Sequence, residues 1–253
     1  MVPDYSILVN LPKDTGGIQT PVYYNSKVNS FGYYIYTPSG YKDNQAEYPL
    51  LIFLHGSGEK GNSMLDNTVL KKVLSNGPPK LIELKKWMPV YPMIVVSPQC
   101  HDSWWDGKKL HKFIGEILSH YRINKSRVYL TGLSMGGFGT FNYIETCYDS
   151  SYIAAAVPIC GGGNPYMAPF YRKTPLWAFH GDADNTVNVS NSINMVKAIN
   201  DENPLIPAKL TIFSGVGHDS WTITYDGSGM GKERKDYDPF DVSIYNWMFQ
   251  YTK

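Results

Sequence analysis

The segment Gly132-Leu133-Ser134-Met135-Gly136-Gly137 gives the clearest indication of how this chain folds. It fits the pattern G-x-S-x-G, in which a serine stands on a sharp turn between a strand and a helix. Residues 127–131 (RVYLT) before it are typical of a short buried strand, and residues 138–145 (FGTFNYIE) after it are typical of a helix start. Glycines suit the turn, since residues without a Cβ tolerate the tightest backbone. This context predicts that Ser134 is a nucleophile and not part of a structural turn.

Strand-like and helical segments alternate on both sides of this turn. The alternation predicts an α/β fold with a mostly parallel, doubly wound sheet flanked by helices. In such sheets the ligand binds beyond the carboxyl ends of the strands. The predicted strands cover residues 22–24, 31–36, 50–54, 93–96, 127–131, 153–159, 176–179 and 210–213. Further helices are predicted over residues 69–74, where 76–79 (NGPP) would close the helix, and over 106–121, 190–199 and 242–249.

Length and charge restrict the class of protein. The chain has 253 residues, and we expect a single domain over residues 1–253, with residues 1–29 as an N-terminal extension that contains a candidate edge strand. Lys and Arg total 23 against 22 Asp and Glu, so no charge excess indicates a nucleic-acid partner. The longest apolar runs have only the length of a strand, so the sequence predicts no transmembrane helix. Residues 1–5 (MVPDY) lack signal-peptide features, as expected of a cytoplasmic chain or of a mature secreted or periplasmic form.

Cysteines and aromatic residues give weaker indications. The three cysteines, Cys100, Cys147 and Cys160, are an odd number at no metal-ligand spacing, so free, partly buried thiols are expected, with one disulfide left open. The chain contains 20 Tyr and 6 Trp. Exposed Tyr and Trp rings suit stacking on sugars or flat ligands, which points weakly to a carbohydrate-related substrate.

A serine nucleophile needs a base, and histidine oriented by a carboxylate is the usual one. In proteins with this turn the order is serine, acid, histidine, and only His180 and His218 of the six histidines follow Ser134. His180 as the base would leave Glu145 and Asp149 as acids, both away from a predicted strand end. His218 lies in a glycine-rich loop after a predicted strand, and is therefore the favoured base.

With His218 as the base, Asp182 and Asp184 become the candidate acids. Both follow the predicted strand over residues 176–179. Asp184 precedes the next helix and suits a position at the loop crest, whereas Asp182 suits a cap on the turn after Gly181. These residues alone leave the choice open. Asp219 is a poor candidate because neighbours on one loop rarely face each other.

Two backbone N–H groups are needed to hold an oxyanion. One is expected from Met135, the residue after the serine, and the second from the loop after the third strand. Residues 55–61 (HGSGEKG) occupy that loop, so Gly56 or Ser57 is the candidate second donor. A phosphate cradle is excluded, because the pattern G-x-x-x-x-G-K-[ST] is missing. His55 is expected to be structural.

These motifs together resemble the α/β-hydrolase superfamily, and within it the phospholipase/carboxylesterase and predicted-peptidase branch, near feruloyl and acetyl-xylan esterases. The resemblance rests on residues 54–58 (LHGSG), 132–137 (GLSMGG), 180–184 (HGDAD) and 217–221 (GHDSW), and it extends from about residue 31 to 249. The branch pattern H-G-x-x-D-x-x-V implies Asp184 as the acid. The string 97–100 (SPQC) also resembles the branch.

The resemblance carries further expectations. It implies that Trp104, Trp105 and Trp221 lie near the cleft rim, although core packing suits each of them equally well. No large cap domain is expected. The segment over residues 226–238 is longer and more polar than the resemblance leads us to expect. A lid or an assembly element is the role expected for it.

The function expected from these residues is acyl transfer on carboxylic esters, with an acyl group linked to a carbohydrate as the weakly favoured substrate. No metal and no organic cofactor is implied. A serine peptidase with the same three residues and a non-catalytic binding protein on the same fold are the alternatives. Dienelactone-hydrolase chemistry is less favoured, because that group typically has Cys where this chain has Ser134. The oligomeric state stays open.

Overall fold

The computed structural model describes residues 4–253, so residues 1–3 of the predicted N-terminal extension lie outside the described residues. Eight strands form one sheet in the order β1-β2-β4-β3-β5-β6-β7-β8. The strands are β1 (Ile18–Val22), β2 (Gly32–Thr37), β3 (Tyr48–Leu54), β4 (Ile94–Gln99), β5 (Ile123–Leu133), β6 (Ala155–Ile159), β7 (Trp177–Gly181) and β8 (Lys209–Phe213).

The sheet is mostly parallel, as predicted. β1 pairs antiparallel with β2, and β2 pairs antiparallel with β4. All the pairs from β4 to β8 are parallel, so the carboxyl ends of these six strands meet at one edge of the sheet. β3 is buried along its whole length, because helices cover both of its faces.

Helices cover the two faces of the sheet, as the doubly wound prediction requires. They are α1 (Gly77–Glu83), α2 (Gly107–His120), α3 (Met135–Cys147), α4 (Ser190–Asp201), α5 (Trp221–Tyr225) and α6 (Ile244–Met248). The apolar stripes of α2, α3 and α4 pack in one core cluster with alternate residues of β3 and β4. α5 and α6 pack in a second cluster on the opposite face. Within residues 4–253 the helices join strands or cover the sheet, and none forms a separate cap.

One local prediction is wrong and one is incomplete. The first strand runs over Ile18–Val22 and not over residues 22–24. Residues 67–75 form a 3-10 helix that ends at Asn76, as predicted, but the sequence NGPP also begins α1, whose first turn contains Pro78 and Pro79. Proline is accommodated there because the first helical N–H groups have no intrahelical partner to lose.

Residues 226–238 lie along the outer edge of β8. The Arg234 amide donates to the Ile212 carbonyl at 2.7 Å, and the Asp238 amide donates to the Leu210 carbonyl at 2.9 Å. The Asp238 carboxylate in turn accepts from the Leu210 amide at 2.8 Å. The segment therefore covers an edge strand that would otherwise present unpaired backbone groups. Its role as a lid or an assembly element stays a prediction.

None of the helices in residues 4–253 is both long enough and apolar enough to cross a membrane.

Candidate active site

Three side chains meet at the carboxyl ends of β5, β7 and β8. Nε2 of His218 lies 2.9 Å from Oγ of Ser134, and Nδ1 of His218 lies 2.7 Å from Oδ2 of Asp184. A carboxylate only accepts hydrogen bonds, so Nδ1 carries the ring proton and Nε2 is left to accept from the serine hydroxyl. The structure thus brings together the serine, acid and histidine that the sequence singled out.

The turn that carries Ser134 is strained and tightly packed. Ser134 has φ 52° and ψ −117°, a backbone conformation unusual for a residue with a side chain. Its amide donates to the Ile159 carbonyl at 3.0 Å. A Cβ on Gly132 would lie 2.3 Å from the Gly136 carbonyl oxygen, and a Cβ on Gly136 would lie 2.0 Å from the Leu54 carbonyl oxygen. The glycines are therefore required by the close approach of β3 and α3 around the serine.

Asp184 is fixed from several sides. Its Oδ1 accepts from the amides of Thr186 at 2.8 Å and Val187 at 2.9 Å, while Oδ2 faces His218. Burial alone would raise the pKa of the carboxyl, but the His218 hydrogen bond and the two amides outweigh it, so the pKa of Asp184 is lowered. The group is consequently held as an anion against the histidine ring.

His180 makes no hydrogen bond to the serine but contacts the same carboxylate oxygen of Asp184 as His218 does. Its Nε2 lies 3.2 Å from Asp184 Oδ2 and 2.9 Å from the Val187 carbonyl oxygen, and its Nδ1 lies 2.8 Å from the Ser192 hydroxyl. Burial lowers the pKa of His180, so the neutral ring is favoured. His180 is therefore part of the packing that fixes the carboxylate.

Asp182 supports the loop that carries His218. Its Oδ1 accepts from the Gly215 amide at 2.7 Å, and its Oδ2 lies 3.3 Å from the Arg234 guanidinium. The side chain thus faces away from His218, and the structure separates the two aspartates that the residues alone left open. The other acids considered lie elsewhere: Glu145 bonds Tyr171, Asp149 pairs with Lys173 and Asp219 caps the start of α5.

The candidate oxyanion donors flank the serine. Met135 begins α3, directly after Ser134. Gly56 is buried so close to the serine that a Cβ built on it would lie 3.7 Å from Ser134 Cβ, whereas Ser57 is exposed. Gln99 fixes this loop, because its side-chain amide donates to the carbonyls of Glu59 at 2.9 Å and Val69 at 2.7 Å.

His55 is a buried structural residue, as expected. Nδ1 lies 2.6 Å from the Gly56 carbonyl oxygen, and Nε2 accepts from the Cys100 amide at 2.9 Å. Both ring nitrogens are therefore satisfied in the neutral form, and burial lowers the pKa of His55 to about 4. The ring ties the loop after β3 to the end of β4.

The three candidate tryptophans occupy different environments. Trp104 is 48% exposed, and its ring lies 5.7 Å from that of Phe138, four residues after the serine. Trp105 is fully buried and donates its indole N–H to the His55 carbonyl at 3.1 Å, so it lies in the core and not at the rim. Trp221 stands edge-on to His218, with ring centroids 5.2 Å apart.

A polar link joins the two sides of the site, and sequence reasoning missed it. The Trp221 indole donates to Oδ1 of Asn76 at 3.2 Å, and the Asn76 amide donates to the buried carboxylate of Glu59. Asn76 thereby connects the loop after β3 to the segment that follows His218. No motif marks Asn76, since it lies in a connection whose position relative to the site only the fold determines.

Cys160 lies directly behind the serine and was considered only as one of three thiols. Its Sγ is 3.3 Å from the Ser134 amide, and its backbone has φ 41°, in the left-handed region. Burial raises the pKa of the Cys160 thiol, so it is protonated at neutral pH. Cys100, Cys147 and Cys160 are all free and buried, in agreement with the default expectation.

The chain is similar in sequence to known esterases. The sequence profile of the phospholipase/carboxylesterase family matches residues 41–225. A bifunctional acetylxylan esterase/xylanase of Neocallimastix patriciarum is 29% identical over 176 residues, which cover 67% of this chain and 24% of the relative. Feruloyl esterase B of Piromyces equi is 32% identical over 170 residues, which cover 63% of this chain and 30% of the relative. The chain thus spans under a third of the length of these relatives.

Solved structures show the same fold. A thermostable esterase superposes with a TM-score of 0.67 at 26% identity, covering 94% of this chain and 63% of the esterase. The feruloyl esterase module of Clostridium thermocellum, in complex with sinapinate, superposes with a TM-score of 0.63 at 17% identity, covering 99% of this chain and 93% of the module. The sheet order, the flanking helices and the family profile agree, and the chain belongs to the phospholipase/carboxylesterase family, a family of carboxylesterase-type hydrolases with the α/β-hydrolase fold.

Proposed function

We propose that this protein is a serine carboxylesterase that cleaves esters through an acyl-enzyme, and that its substrates carry the acyl group on a carbohydrate. The observation that carries the proposal is His218, whose two ring nitrogens contact Ser134 Oγ at 2.9 Å and Asp184 Oδ2 at 2.7 Å. Family membership and esterase relatives support ester cleavage as the reaction class.

In the first step the Ser134 oxygen attacks the ester carbonyl carbon while Nε2 of His218 accepts the hydroxyl proton. Asp184 holds the Nδ1–H tautomer and stabilises the imidazolium that forms. The carbonyl oxygen becomes an oxyanion, which accepts from the Met135 amide and from the amide of Gly56 or Ser57. Each such donor contributes roughly 10²- to 10³-fold to kcat.

The tetrahedral intermediate then collapses. The carbon–oxygen bond to the alcohol breaks, and His218 returns its proton to the leaving oxygen. Water repeats the sequence on the acyl-enzyme: His218 accepts a water proton, hydroxide adds to the acyl carbon, and Ser134 leaves with the proton. Acid and free serine are the products, and no redox or metal chemistry enters the balance.

The carbohydrate part of the proposal has separate support. The relatives are named for acetylxylan and feruloyl ester cleavage. Trp104 is half exposed, and its ring lies beside that of Phe138, which belongs to the helix that follows Ser134. An exposed indole near the serine suits stacking on a sugar ring.

The experiment is a comparison of Ser134→Ala with Ser119→Ala, a matched change on the surface of α2. Turnover of p-nitrophenyl acetate should be lost in Ser134→Ala, with an unchanged circular dichroism spectrum, and retained in Ser119→Ala. A fluorophosphonate probe should label the wild-type chain and Ser119→Ala alone. Undiminished turnover in Ser134→Ala contradicts the mechanism, and failure of the probe to label wild-type protein favours a non-catalytic binding protein.

A substrate panel tests the carbohydrate link. Acetylated xylan and feruloylated arabinoxylan fragments should be cleaved with a higher kcat/KM than p-nitrophenyl butyrate and than peptide anilides. A preference for peptide anilides would instead identify a serine peptidase.

A further inference from the structure

A thiol, a carboxylate and an imidazole converge behind the serine. One ligand atom from each of Cys160, Asp184 and His218 lies within 4.8 Å of the other two. Asp184 and Cys160 are buried, and the His218 side chain is 22% exposed. The proposed ester cleavage uses the aspartate and the histidine but gives the thiol no chemical task.

We propose that Cys160, Asp184 and His218 form an inhibitory site for a zinc ion. The proposal rests on the proposed function, since it concerns the regulation of the same site. Thiolate sulfur, imidazole nitrogen and carboxylate oxygen are the three ligand types that proteins use for zinc. Thiolate and imidazole together select zinc over magnesium and calcium, which prefer oxygen ligands.

The geometry needs only a modest adjustment. With bonds of about 2.0–2.3 Å to nitrogen, oxygen and sulfur, neighbouring ligand atoms around a tetrahedral zinc ion are roughly 3.3–3.7 Å apart. Because the three ligand atoms lie within 4.8 Å of one another, no pair must approach by more than about 1.5 Å, and the contact between His218 Nδ1 and Asp184 Oδ2 must open. Three protein ligands leave a fourth position for water.

A zinc ion bound at these residues prevents His218 from acting as the base for Ser134. If the ion binds Nε2 of His218, the nitrogen that faces Ser134 is blocked directly. If it binds Nδ1, the neutral ring carries its proton on Nε2 and cannot accept from the serine hydroxyl. In both cases the Cys160 thiol gives its proton to solvent as the sulfur–zinc bond forms, and no electron is transferred.

Access to the site passes His218, because this ring is the exposed member of the three. The ring must move aside for the ion to reach the sulfur and the carboxylate beneath it. Assays should therefore follow preincubation of untagged protein with zinc chloride or with a chelator.

The decisive comparison is among wild type, Cys160→Ser, Cys160→Ala and Cys147→Ser. Cys147 is a matched control, since it is a buried thiol that donates to the Gly107 carbonyl in another part of the core. Each rate with zinc is divided by that variant's own rate with chelator. We expect micromolar zinc to inhibit wild type and Cys147→Ser alike, and the half-inhibiting concentration to rise roughly tenfold or more in both Cys160 variants, because the soft ligand is lost.

Cobalt(II) provides a readout that does not depend on activity. Wild type and Cys147→Ser should develop a near-ultraviolet thiolate-to-cobalt band that both Cys160 variants lack. Zinc-insensitive wild type, equal sensitivity in all four proteins, or a cobalt band that survives removal of Cys160 would each overturn the proposal. If no ester is cleaved at all, the proposed function fails and the cobalt spectra still decide whether the site exists.

Discussion

Two loops form the candidate site, and they are held in place by different means. The elbow, residues 132–137, is set by backbone contacts so close that several of its positions accept no Cβ. The histidine loop, residues 214–220, is mostly exposed. Its Val216 carbonyl oxygen lies 2.1 Å from where a Cβ on Gly181 would stand, but Gly217 within the loop has room for a Cβ. Hydrogen bonds from the Gly215 amide to Asp182 and from the Ala183 amide to the Val216 carbonyl also hold the loop. One half of the site should therefore tolerate almost no change of volume, and the other half should respond to the loss of single polar contacts.

A glycine-to-alanine substitution in each loop tests this difference most directly. A Cβ on Gly136 would lie 2.0 Å from the Leu54 carbonyl oxygen and 2.5 Å from the Leu54 carbonyl carbon. Backbone cannot move aside as a side chain can, so we expect Gly136→Ala to destabilise the fold by about 3 kcal/mol or more, with loss of activity. Urea unfolding followed by circular dichroism measures the change.

Gly217→Ala is the control, since the nearest atom to its Cβ would be the Ala183 carbonyl oxygen at 3.9 Å. Gly217 is exposed, and the free energy of unfolding should change by no more than about 0.5 kcal/mol. Equal stability of the two variants would show that the elbow is not fixed by backbone packing.

The same difference explains what could be predicted from the sequence. The buried runs of β3 and β4 and the apolar spacing of α2 are local signals, and the structure has these elements close to where they were predicted. The end of the 3-10 helix before Pro78 and Pro79 was predicted, but the start of α1 at the same prolines was not, because proline can follow one helix and begin another.

Some residues of the candidate site could be predicted from the sequence, and others could not. Ser134, Asp184 and His218 each follow a strand, and parallel strands bring their carboxyl ends to one edge, so their meeting could be expected. Cys160 directly follows β6, which pairs with β5, so its position beside Ser134 could have been expected by the same rule. Asn76 could not, because its partners depend on how connections cross above that edge. Asp182 and Asp184 are two residues apart, and only the direction of each side chain distinguishes them.

The second prediction concerns the acid that orients the histidine. Asp184→Asn retains the Oδ1 acceptor for the amides of Thr186 and Val187, but the amide group cannot accept the Nδ1–H of His218. The wrong tautomer should then prevail, and we expect kcat to fall roughly 10³- to 10⁴-fold with little change in stability. Steady-state kinetics and thermal unfolding separate the two effects.

Asp182→Asn serves as the matched control. An asparagine still accepts from the Gly215 amide, so it loses only the charge facing Arg234, a partly exposed pair at 3.3 Å worth about 1 kcal/mol. A loss of kcat in Asp182→Asn as large as that in Asp184→Asn would reassign the acid.

Low pH should weaken the loop after β3, where the His55 carbonyl oxygen packs against Gly136 of the elbow. His55 has a pKa of about 4 in the fold because burial disfavours its charged form, against an ordinary value of 6.5. Below pH 6.5 the unfolded chain binds a proton that the folded chain does not, so stability falls as the pH decreases towards 4. The loss amounts to about 3 kcal/mol, and His180, whose pKa is also lowered by burial, adds to it in the same direction.

Urea unfolding at intervals between pH 7 and pH 4 measures this slope. His55→Gln should flatten it, even if the variant is less stable at pH 7, whereas the exposed control His120→Gln should keep the wild-type slope. An unchanged slope in His55→Gln would assign the acid sensitivity to other groups.

The smallest effect is expected at the link between the loop after β3 and the segment that follows His218. Trp221→Phe keeps an aromatic edge against His218 but loses the indole donor to Asn76, which lies 3.2 Å away. A neutral hydrogen bond contributes about 0.5–1.5 kcal/mol, so kcat should fall roughly two- to tenfold. Asn76→Ala should lower kcat further, because it also releases Glu59.

A double-mutant cycle tests whether the bond between Trp221 and Asn76 positions the histidine loop. If it does, Trp221→Phe should lower kcat little further once Asn76 is alanine, and the coupling should exceed about 0.5 kcal/mol. Strictly additive losses would mean that the histidine loop holds its position without this link to the loop after β3.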